Sequence, residues 1–475
     1  MDLSSSFLVL GAGGVSGTST LKLLQVFTKK IYAYDDNPQL FFPEPVISLS
    51  QEKHLFSDQN AFRDFLNNNA ISYAIISPGF PRASNIVKTI EENGIPVIGE
   101  LDFGYYVIFH VLKKMPFVIA ITGTDGKSTT THLTAHLLRS VGVYAIECGN
   151  YGLPLTEIAW ENLINHKPIP EVLVVEASSY QLEKLFYFAP DVSMILNISE
   201  DHMDRYVSFR EYLQAKLNIV SLCHQDQILL INKQIVEKAR ELQIPSSIQH
   251  VKNIIIDEEE VKTSNYIELY DQKFFWKDFP VDNPHNRVNA WFSLKAIEIC
   301  FQKRNQIYDQ NDLINGLKNF QGLPYRLQKV KTHKNILFVN DSKSTTVQSL
   351  LSAIRAYQHA NIFLLMGGLD KNLDFTPIKN LDVFLKKLWI FPYGSAAKKI
   401  QNQLGLEKSY ANLEEAFLAL LDSLKSLHQP HQPNEEYVIL LSPACASMDQ
   451  YKNYKERGEH FNALIQKYES IWKEI

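Results

Sequence analysis

The chain has 475 residues, of which 45% are apolar and 21% charged, with a net charge of −5. That length accommodates about three domains, and the ordinary composition and mild negative charge give no footing for nucleic acid or an anionic membrane as partner. Four scattered cysteines without a CxxC pair exclude a zinc knuckle or dithiol motif and fit reduced thiols; with no apolar run of about 18 residues and no basic leader, neither a membrane span nor a signal peptide is expected.

Phe7-Leu-Val-Leu10 predicts a buried strand. Gly11-Ala-Gly-Gly-Val-Ser-Gly17 follows, then a helical stretch over Thr20–Phe27 and a second strand, Ile31-Tyr-Ala-Tyr34, ending in Asp35 and Asp36. This is a Rossmann-like opening, in which glycines let the backbone approach a pyrophosphate set on a helix N-terminus. Ser16 stands where the dinucleotide fingerprint has its third glycine, so that match is incomplete. Asp35 either receives a ribose hydroxyl or caps its strand end. Ala74-Ile-Ile-Ser-Pro-Gly79 and Pro96-Val-Ile-Gly-Glu-Leu101 predict further strands, with helices over Ala61–Leu66 and Ile86–Glu92. The alternation predicts a parallel, helix-covered sheet with Gly13–Gly17 and Ser77–Gly79 near one another at its binding edge; for Ser77-Pro-Gly79 a plain turn is the alternative.

Phe117-Val-Ile-Ala-Ile-Thr122 predicts a strand running into Gly123-Thr-Asp-Gly-Lys-Ser-Thr129 and a helix over His132–Leu138. Full phosphate-loop spacing requires a glycine where Ile121 stands, so the loop is a shortened one. Strand, loop, lysine, hydroxyls and helix are nonetheless in the order that cradles a nucleoside triphosphate. Loop amides and the helix N-terminus face phosphates, Lys127 neutralises charge, and Ser128 or Thr129 reaches a magnesium ion. A strand–turn–helix with a surface lysine is the alternative. Gly149-Asn-Tyr-Gly152 brings the Asn150 amide to a phosphate or metal, or simply turns. Val172-Leu-Val-Val-Glu176 ends in a carboxylate of the kind that holds magnesium beside a phosphate loop, unless Glu176 is merely solvated. After the strand Val192–Ile198, His202 sits among Glu200, Asp201 and Asp204, as a metal or phosphate contact or as a surface histidine. Ser208–Val220 predicts a helix whose apolar face is Tyr212, Leu213, Leu217 and Val220, and this pattern leaves Lys216 a solvated lysine. Asn286 and Asn289 share a face at the start of another helix, where they bind a ligand's polar edge or cap the helix.

Leu323-Pro-Tyr-Arg326 reads as a linker into a new unit. Strands over Ile336–Asn340, Ile362–Met366, Leu388–Phe391 and Tyr437–Leu441 each end in a polar or glycine-bearing loop: Asp341-Ser-Lys-Ser-Thr-Thr346, Gly367-Gly-Leu-Asp-Lys371, Tyr393-Gly-Ser395 and Ser442-Pro-Ala-Cys-Ala-Ser447. This predicts a second Rossmann-like sheet whose binding edge carries Asp341, Lys343, Lys371 and Ser447, suited to an anionic substrate or a transferring phosphoryl group.

Together these residues resemble the Mur ligase family, over nearly the whole chain. The most specific pieces are Asp201-His-Met-Asp-Arg-Tyr206, His285-Asn-Arg-Val-Asn289, Asn340-Asp-Ser-Lys-Ser-Thr345 and Leu441-Ser-Pro-Ala-Cys-Ala-Ser-Met-Asp-Gln-Tyr-Lys-Asn-Tyr-Lys-Glu-Arg-Gly458; the last third points to the D-glutamate-adding branch. The resemblance implies an α/β chain of three domains: a Rossmann-like domain for a uridine-diphosphate substrate (1–105), a central P-loop-type ATP-binding domain (106–322) and a Rossmann-like amino-acid-binding domain (323–475). It implies that ATP converts the terminal carboxylate of UDP-N-acetylmuramoyl-L-alanine to an acyl phosphate, which the amine of D-glutamate attacks.

The resemblance also implies roles. Gly123, Thr124, Asp125, Gly126, Lys127, Ser128 and Thr129 would hold ATP phosphates, Asn286 and Asn289 the adenine and ribose side, and Arg326 and Asp341 ATP from the third domain. Two magnesium ions would be bound, with Ser128 and Glu176 at the first, His202 at the second, and Lys216 beside them as a carbamate. Gly13, Gly14, Val15, Ser16, Asp35, Ser77 and Gly79 would line the uridine-diphosphate pocket, with Asn150 nearer the phosphates. Lys343, Thr345, Lys371, Ser447 and Tyr454 would hold D-glutamate. Asp125 stands where the family usually carries Asn. A cytoplasmic monomer without nucleic-acid or membrane partners is the expectation. A nicotinamide oxidoreductase, built on Gly11–Gly17 and Asp35, is the alternative of another class; it leaves Lys127, Glu176 and the Lys343 loop unexplained.

Overall fold

Near-continuous apolar runs mark strands buried on both faces, and among the described residues three large sheets are built from them. The computed structural model describes residues 1–37, 42, 44–49, 52, 59–201, 203, 205–244, 248–269, 272–370, 373–379, 381, 388–427 and 435–474. The chain divides into two compact units, Met1–Phe320 and Gln321–Ile475.

The first sheet of the first unit holds β1 (Ser6–Leu10), β2 (Ile31–Tyr34), β3 (Val46–Ser48), β4 (Ile71–Ile76) and β5 (Val97–Gly99), all parallel in the order β3-β2-β1-β4-β5. The chain leaves β1 toward β2 and β3, then returns to add β4 and β5 on the other side. The loops after β1 and β4 therefore open side by side, at the switch point where such sheets bind ligands.

The expected strand Pro96–Leu101 stops at Gly99, and a helix, Glu100–Tyr106, begins. Two buried carboxylates on its first turn account for the change. Glu100 Oε1 accepts from Thr156 N at 3.1 Å and Thr156 Oγ1 at 2.8 Å, and Asp102 accepts from the amides of Phe186, Tyr187 and Phe188. The helix is thereby fixed to loops of the second sheet, and one core cluster runs from Phe7 and Val9 through Phe103 and Tyr105 to Val118 and Ala120. The expected domain boundary at 105 falls at the end of this helix.

The second sheet contains β6 (Phe117–Thr122), β7 (Ala145–Gly149), β8 (Val172–Glu176), β9 (Val192–Ile195), β10 (Ile228–Asn232) and β11 (Lys252–Ile256), all parallel in the order β11-β10-β9-β6-β8-β7. Here β6 lies between β8 and β9, so the loops after these three strands meet. The helix expected from His132 begins at Lys127 and runs to Ser140. A run of three threonines argues against helix because β-branched side chains lose rotamer freedom there. The hydroxyls of Thr130 and Thr131 are satisfied within the helix, donating to the carbonyls of Gly126 and Lys127 one turn back at 3.0 and 2.9 Å, and the burial of Thr130, Thr131, Leu133 and Leu137 holds the helix. The same helix packs on Pro284–Lys303, where Thr134 Oγ1 donates to Ser293 Oγ at 2.9 Å. A small antiparallel pair, β12 (Tyr266–Leu269) with β13 (Gln272–Phe275), completes the unit's sheets.

In the second unit, β14 (Gln328–His333), β15 (Ile336–Asn340), β16 (Asn361–Gly367), β17 (Leu388–Tyr393) and β18 (Tyr437–Ala444) lie in the order β14-β15-β18-β16-β17. Only β14 pairs antiparallel. Apolar clusters cover both faces, one around Phe338, Phe363 and Trp472, the other around Leu350, Leu364 and Ile400. Among the described residues no helix is long and apolar enough to cross a membrane.

Candidate active site

The loop after β6 is closed by its own lysine. Gly126 caps the following helix in the left-handed region, φ +79°, and a Cβ there would lie 2.7 Å from Asn289 Oδ1. Only glycine satisfies both conditions. Lys127 Nζ donates to the carbonyls of Gly123 at 2.9 Å and Thr124 at 2.7 Å. Ser128 is buried, Thr129 half-buried and Asp125 exposed. Asn197, just beyond β9, holds the loop from the other side. Its Oδ1 accepts from Thr124 N at 3.1 Å and Asp125 N at 2.8 Å, and its Nδ2 donates to Asp125 O at 3.1 Å. Sequence reading passed over Asn197; the available signal was an amide at the end of an apolar strand.

Lys216 also reaches this loop. It lies on the helix Phe209–Leu217, is 1% exposed, and donates from Nζ to Gly123 O at 2.7 Å. The ammonium lies 4.6 Å from the ring centroid of Tyr212, whose hydroxyl is 3.1 Å from Thr124 Oγ1. Burial, joined by the charge of Lys127, holds the Lys216 amine well below the usual lysine range, against the opposing pull of Asp201, Asp125 and Glu176. The apolar-face reading holds, since Tyr212, Leu213, Leu217 and Val220 are all buried, and the structure corrects the solvated reading of Lys216.

Glu176 ends β8 next to β6 and is 2% exposed. Its Oε1 accepts from Asn150 Nδ2 at 2.6 Å, while Oε2 is buried without a hydrogen-bond partner. The amide of Asn150 is also fixed, donating to Glu176 O at 2.8 Å. Asn286 and Asn289 share a face as expected: Asn289 Nδ2 donates to Asn286 Oδ1 at 3.3 Å. The helix is capped by Asn283 instead, and Asn289 lies against Gly126. Loop 123–129, Asn150, Glu176, Lys216 and Asn289 are thus gathered at one sheet edge. His202 and Lys371 lie outside the described residues, as does Asp204.

At the first sheet's switch point a cleft of about 380 Å³ is lined by Gly14, Val15, Ser16, Asp35, Ser77 and Gly79 among others. Ser77 Oγ donates to Gly11 O at 2.9 Å, joining the two loops the sequence predicts to be neighbours. Asp35 caps its strand end, accepting from Gly13 N at 2.8 Å and Asn37 N at 3.0 Å, and faces the cleft as well. The incomplete glycine fingerprint is resolved one residue on: a Cβ on Gly17 would lie 2.3 Å from Gly11 O, so Gly17 supplies the close helix–strand packing that Ser16 does not.

In the second unit the loops after β15, β16 and β18 converge. Asp341 is 7% exposed; its Oδ2 accepts from Ser442 Oγ at 2.9 Å and its Oδ1 from Leu327 N at 3.1 Å. Burial pushes its carboxyl up to about 7. Arg326 is exposed, between Tyr325 at φ 64° and Leu327 at φ 45°, left-handed positions that non-glycine residues rarely take. The Lys343 ammonium lies 4.1 Å from the Tyr454 ring centroid; Thr345 is half-buried and Ser447 buried. Arg457, fully buried, binds these loops together: Nε donates to Ser342 Oγ at 3.1 Å, Nη2 to Ser342 O at 2.8 Å and Nη1 to Cys445 O at 3.0 Å. Sequence reading gave Arg457 no role.

A model of the Mur ligase middle domain matches residues 121–282. The chain is similar to UDP-N-acetylmuramoylalanine--D-glutamate ligase of Natranaerobius thermophilus, 30% identical with 98% of each chain covered. The ligase of the same name from Leptospira interrogans is 32% identical, with 96% of each chain covered. The crystal structure of MurF ligase from Thermotoga maritima in complex with ADP shares the fold, with a TM-score of 0.54 and 13% identity over 98% of this chain and 99% of that one. The chain belongs to the Mur ligase family.

Proposed function

We propose that the chain is an ATP-dependent ligase that joins D-glutamate to UDP-N-acetylmuramoyl-L-alanine in peptidoglycan precursor synthesis, acting as a cytoplasmic monomer. The observation that carries this reading is loop 123–129, flanked by Lys216, Glu176 and Asn289, in a chain similar from end to end to D-glutamate ligases.

The terminal carboxylate of the uridine substrate attacks the γ-phosphorus of ATP, giving an acyl phosphate and ADP. The D-glutamate amine then attacks the acyl carbon, and the tetrahedral intermediate expels phosphate and loses a proton to leave the amide. Loop amides and the helix N-terminus at Lys127 hold the phosphates, and Lys127 offsets charge on the transferring group. Asn286 and Asn289 face the adenine and ribose, and Arg326 and Asp341 also bind ATP. Gly13, Gly14, Val15, Ser16, Asp35, Ser77 and Gly79 hold the uridine diphosphate, and Lys343, Thr345, Lys371, Ser447 and Tyr454 hold D-glutamate. The corresponding division is into domains 1–105, 106–322 and 323–475.

The residues present fit magnesium: the partnerless Glu176 oxygen, oriented through its twin by Asn150, is a donor for a hard cation. Ser128 and Glu176 would hold one ion, and His202 with a carbamylated Lys216 a second. Magnesium, when bound, would neutralise phosphate oxygens. A neutral Lys216 amine is the form that takes up carbon dioxide, and the carbamate would turn a cation into a carboxylate-like group.

The test is release of phosphate from ATP by the full chain with UDP-N-acetylmuramoyl-L-alanine and either D- or L-glutamate, with product mass. Release that requires D-glutamate is expected; release with another amino acid in its place, or none, overturns the reading.

A further inference from the structure

The turn Ser77–Gly79 forms one wall of the first-sheet cleft. Ser77 is tied to β1 on one side, through Gly11 and Leu10. Beneath the turn lies a cavity of about 10 Å³, with Ser77, Pro78, Glu100, Gln181 and Arg205 among its lining residues. It has room for roughly one water. Glu100 Oε2 and Gln181 Nε2 have no hydrogen-bond partner. The turn closes through Phe80 N on Ser77 O at 3.0 Å, and its middle carbonyl is bound from the second sheet's side: Arg205 Nη1 donates to Pro78 O at 3.2 Å.

Arg205 is itself held rigidly by the second sheet's elements. Its Nε and Nη2 form a fork on Glu183 Oε1 and Oε2 at 2.9 and 3.0 Å, and its guanidinium lies 3.9 Å from the Tyr180 ring centroid. Tyr206 donates to Glu183 Oε1 at 3.1 Å, and Asn218 Nδ2 reaches the carbonyls of Leu182 and Glu183. A planar guanidinium alone can make the fork, the stack and the third bond together. At the phosphate-type loop itself, the Ser199 amide donates to Thr124 Oγ1 at 3.0 Å.

We infer that Arg205 is a positioning residue that holds the nucleotide-cleft turn, through Pro78 O, in fixed register with the second sheet's phosphate-type loop. The inference rests on the proposed function for the identity of the cleft's ligand. Loss of the tether leaves the turn to be ordered by the ligand, so affinity for the uridine substrate falls while the ATP side, fixed by Asn197, keeps its own.

The experiment measures dissociation constants of the full chain for UDP-N-acetylmuramoyl-L-alanine and, separately, a non-hydrolysable ATP analogue, by calorimetry. R205Q is expected to weaken the uridine ligand roughly tenfold, with the ATP analogue within about twofold of wild type. R205K should fall between, because an ammonium lacks the fork. E183Q keeps the side chain's volume and should produce the same split, and R205Q/E183Q should be no worse than R205Q alone, since both act on one tether. An unchanged uridine constant in R205Q or, if R205Q does not fold, in E183Q overturns the inference, as does equal weakening of both ligands. Wild-type binding without turnover overturns the proposed reaction and leaves these comparisons to decide Arg205. A wild type that binds no uridine nucleotide overturns both.

Discussion

Lys127 and Lys216 donate to one oxygen, the carbonyl of Gly123, at 2.9 and 2.7 Å. Two full charges sharing an acceptor lie within about 6 Å of one another and repel by roughly 3 kcal/mol at an effective dielectric of about 20. Lys216 is 1% exposed, so desolvation and the repulsion from Lys127 both act to neutralise it.

A buried lysine whose amine is held well below the usual lysine range, set against a phosphate-type loop, is suited to modification by carbon dioxide. With the proposed carbamate, K216A should lose roughly 10³-fold in kcat and recover part of it with added formate or acetate. Wild type stripped of carbon dioxide should slow and recover with bicarbonate. Unimpaired K216A, or the lack of any response to carboxylate and bicarbonate, would remove the carbamate from the mechanism.

Glu176 offers one oxygen to Asn150 and leaves the other without a partner in a buried site. E176Q replaces that oxygen or its twin with an amide nitrogen while keeping the volume. The magnesium concentration giving half-maximal activity should rise at least tenfold, and N150A, which frees the carboxylate to turn, should raise it roughly tenfold. Unaltered magnesium dependence in both variants would mean that Glu176 holds no ion.

Gly126 combines a left-handed φ with close contact to Asn289. G126A should cost about 1 kcal/mol of backbone strain and push the Asn289 side chain aside. The KM for ATP should rise several-fold, with thermal unfolding only slightly earlier. If the contact is the main cause, N289A will add little to G126A, because both changes disturb one site. Additive losses in the double variant would separate the two residues.

Strands, their order along the chain and the loops at their ends were legible because each strand is a continuous apolar run closed by a polar or glycine-bearing turn. The pairing of Ser77 with the Gly11 loop followed from parallel topology alone. The pattern reading of Lys216 as solvated failed because helical periodicity records which face carries apolar residues and not what lies against a polar one. Asn197, Arg205 and Arg457 act on backbone carbonyls or amides distant in sequence, and such partners leave no local pattern. The start of the helix at Lys127 was hidden by threonines, whose β-branched side chains argue against helix and whose burial appears only with coordinates.

Asp341 makes the stability of the second unit depend on pH in the direction opposite to an ion-paired carboxylate. Burial raises its pKa from 3.8 to about 7 despite the hydrogen bonds from Ser442 and Leu327. Between those values the folded chain holds a proton that the unfolded chain has released, so stability falls as pH rises. The loss is complete above about pH 7, where both states are ionised, and amounts to at most about 4 kcal/mol. Glu100, Asp102 and Asp191 in the first unit are also raised by burial, so the wild-type profile alone does not isolate Asp341. Comparison with D341N does, since the amide approximates the protonated acid and does not titrate. In urea unfolding of the full chain, the margin of D341N over wild type in the second unit should be larger near pH 8 than near pH 5. An equal difference between the two proteins at both pH values would show that Asp341 does not change its protonation in this range.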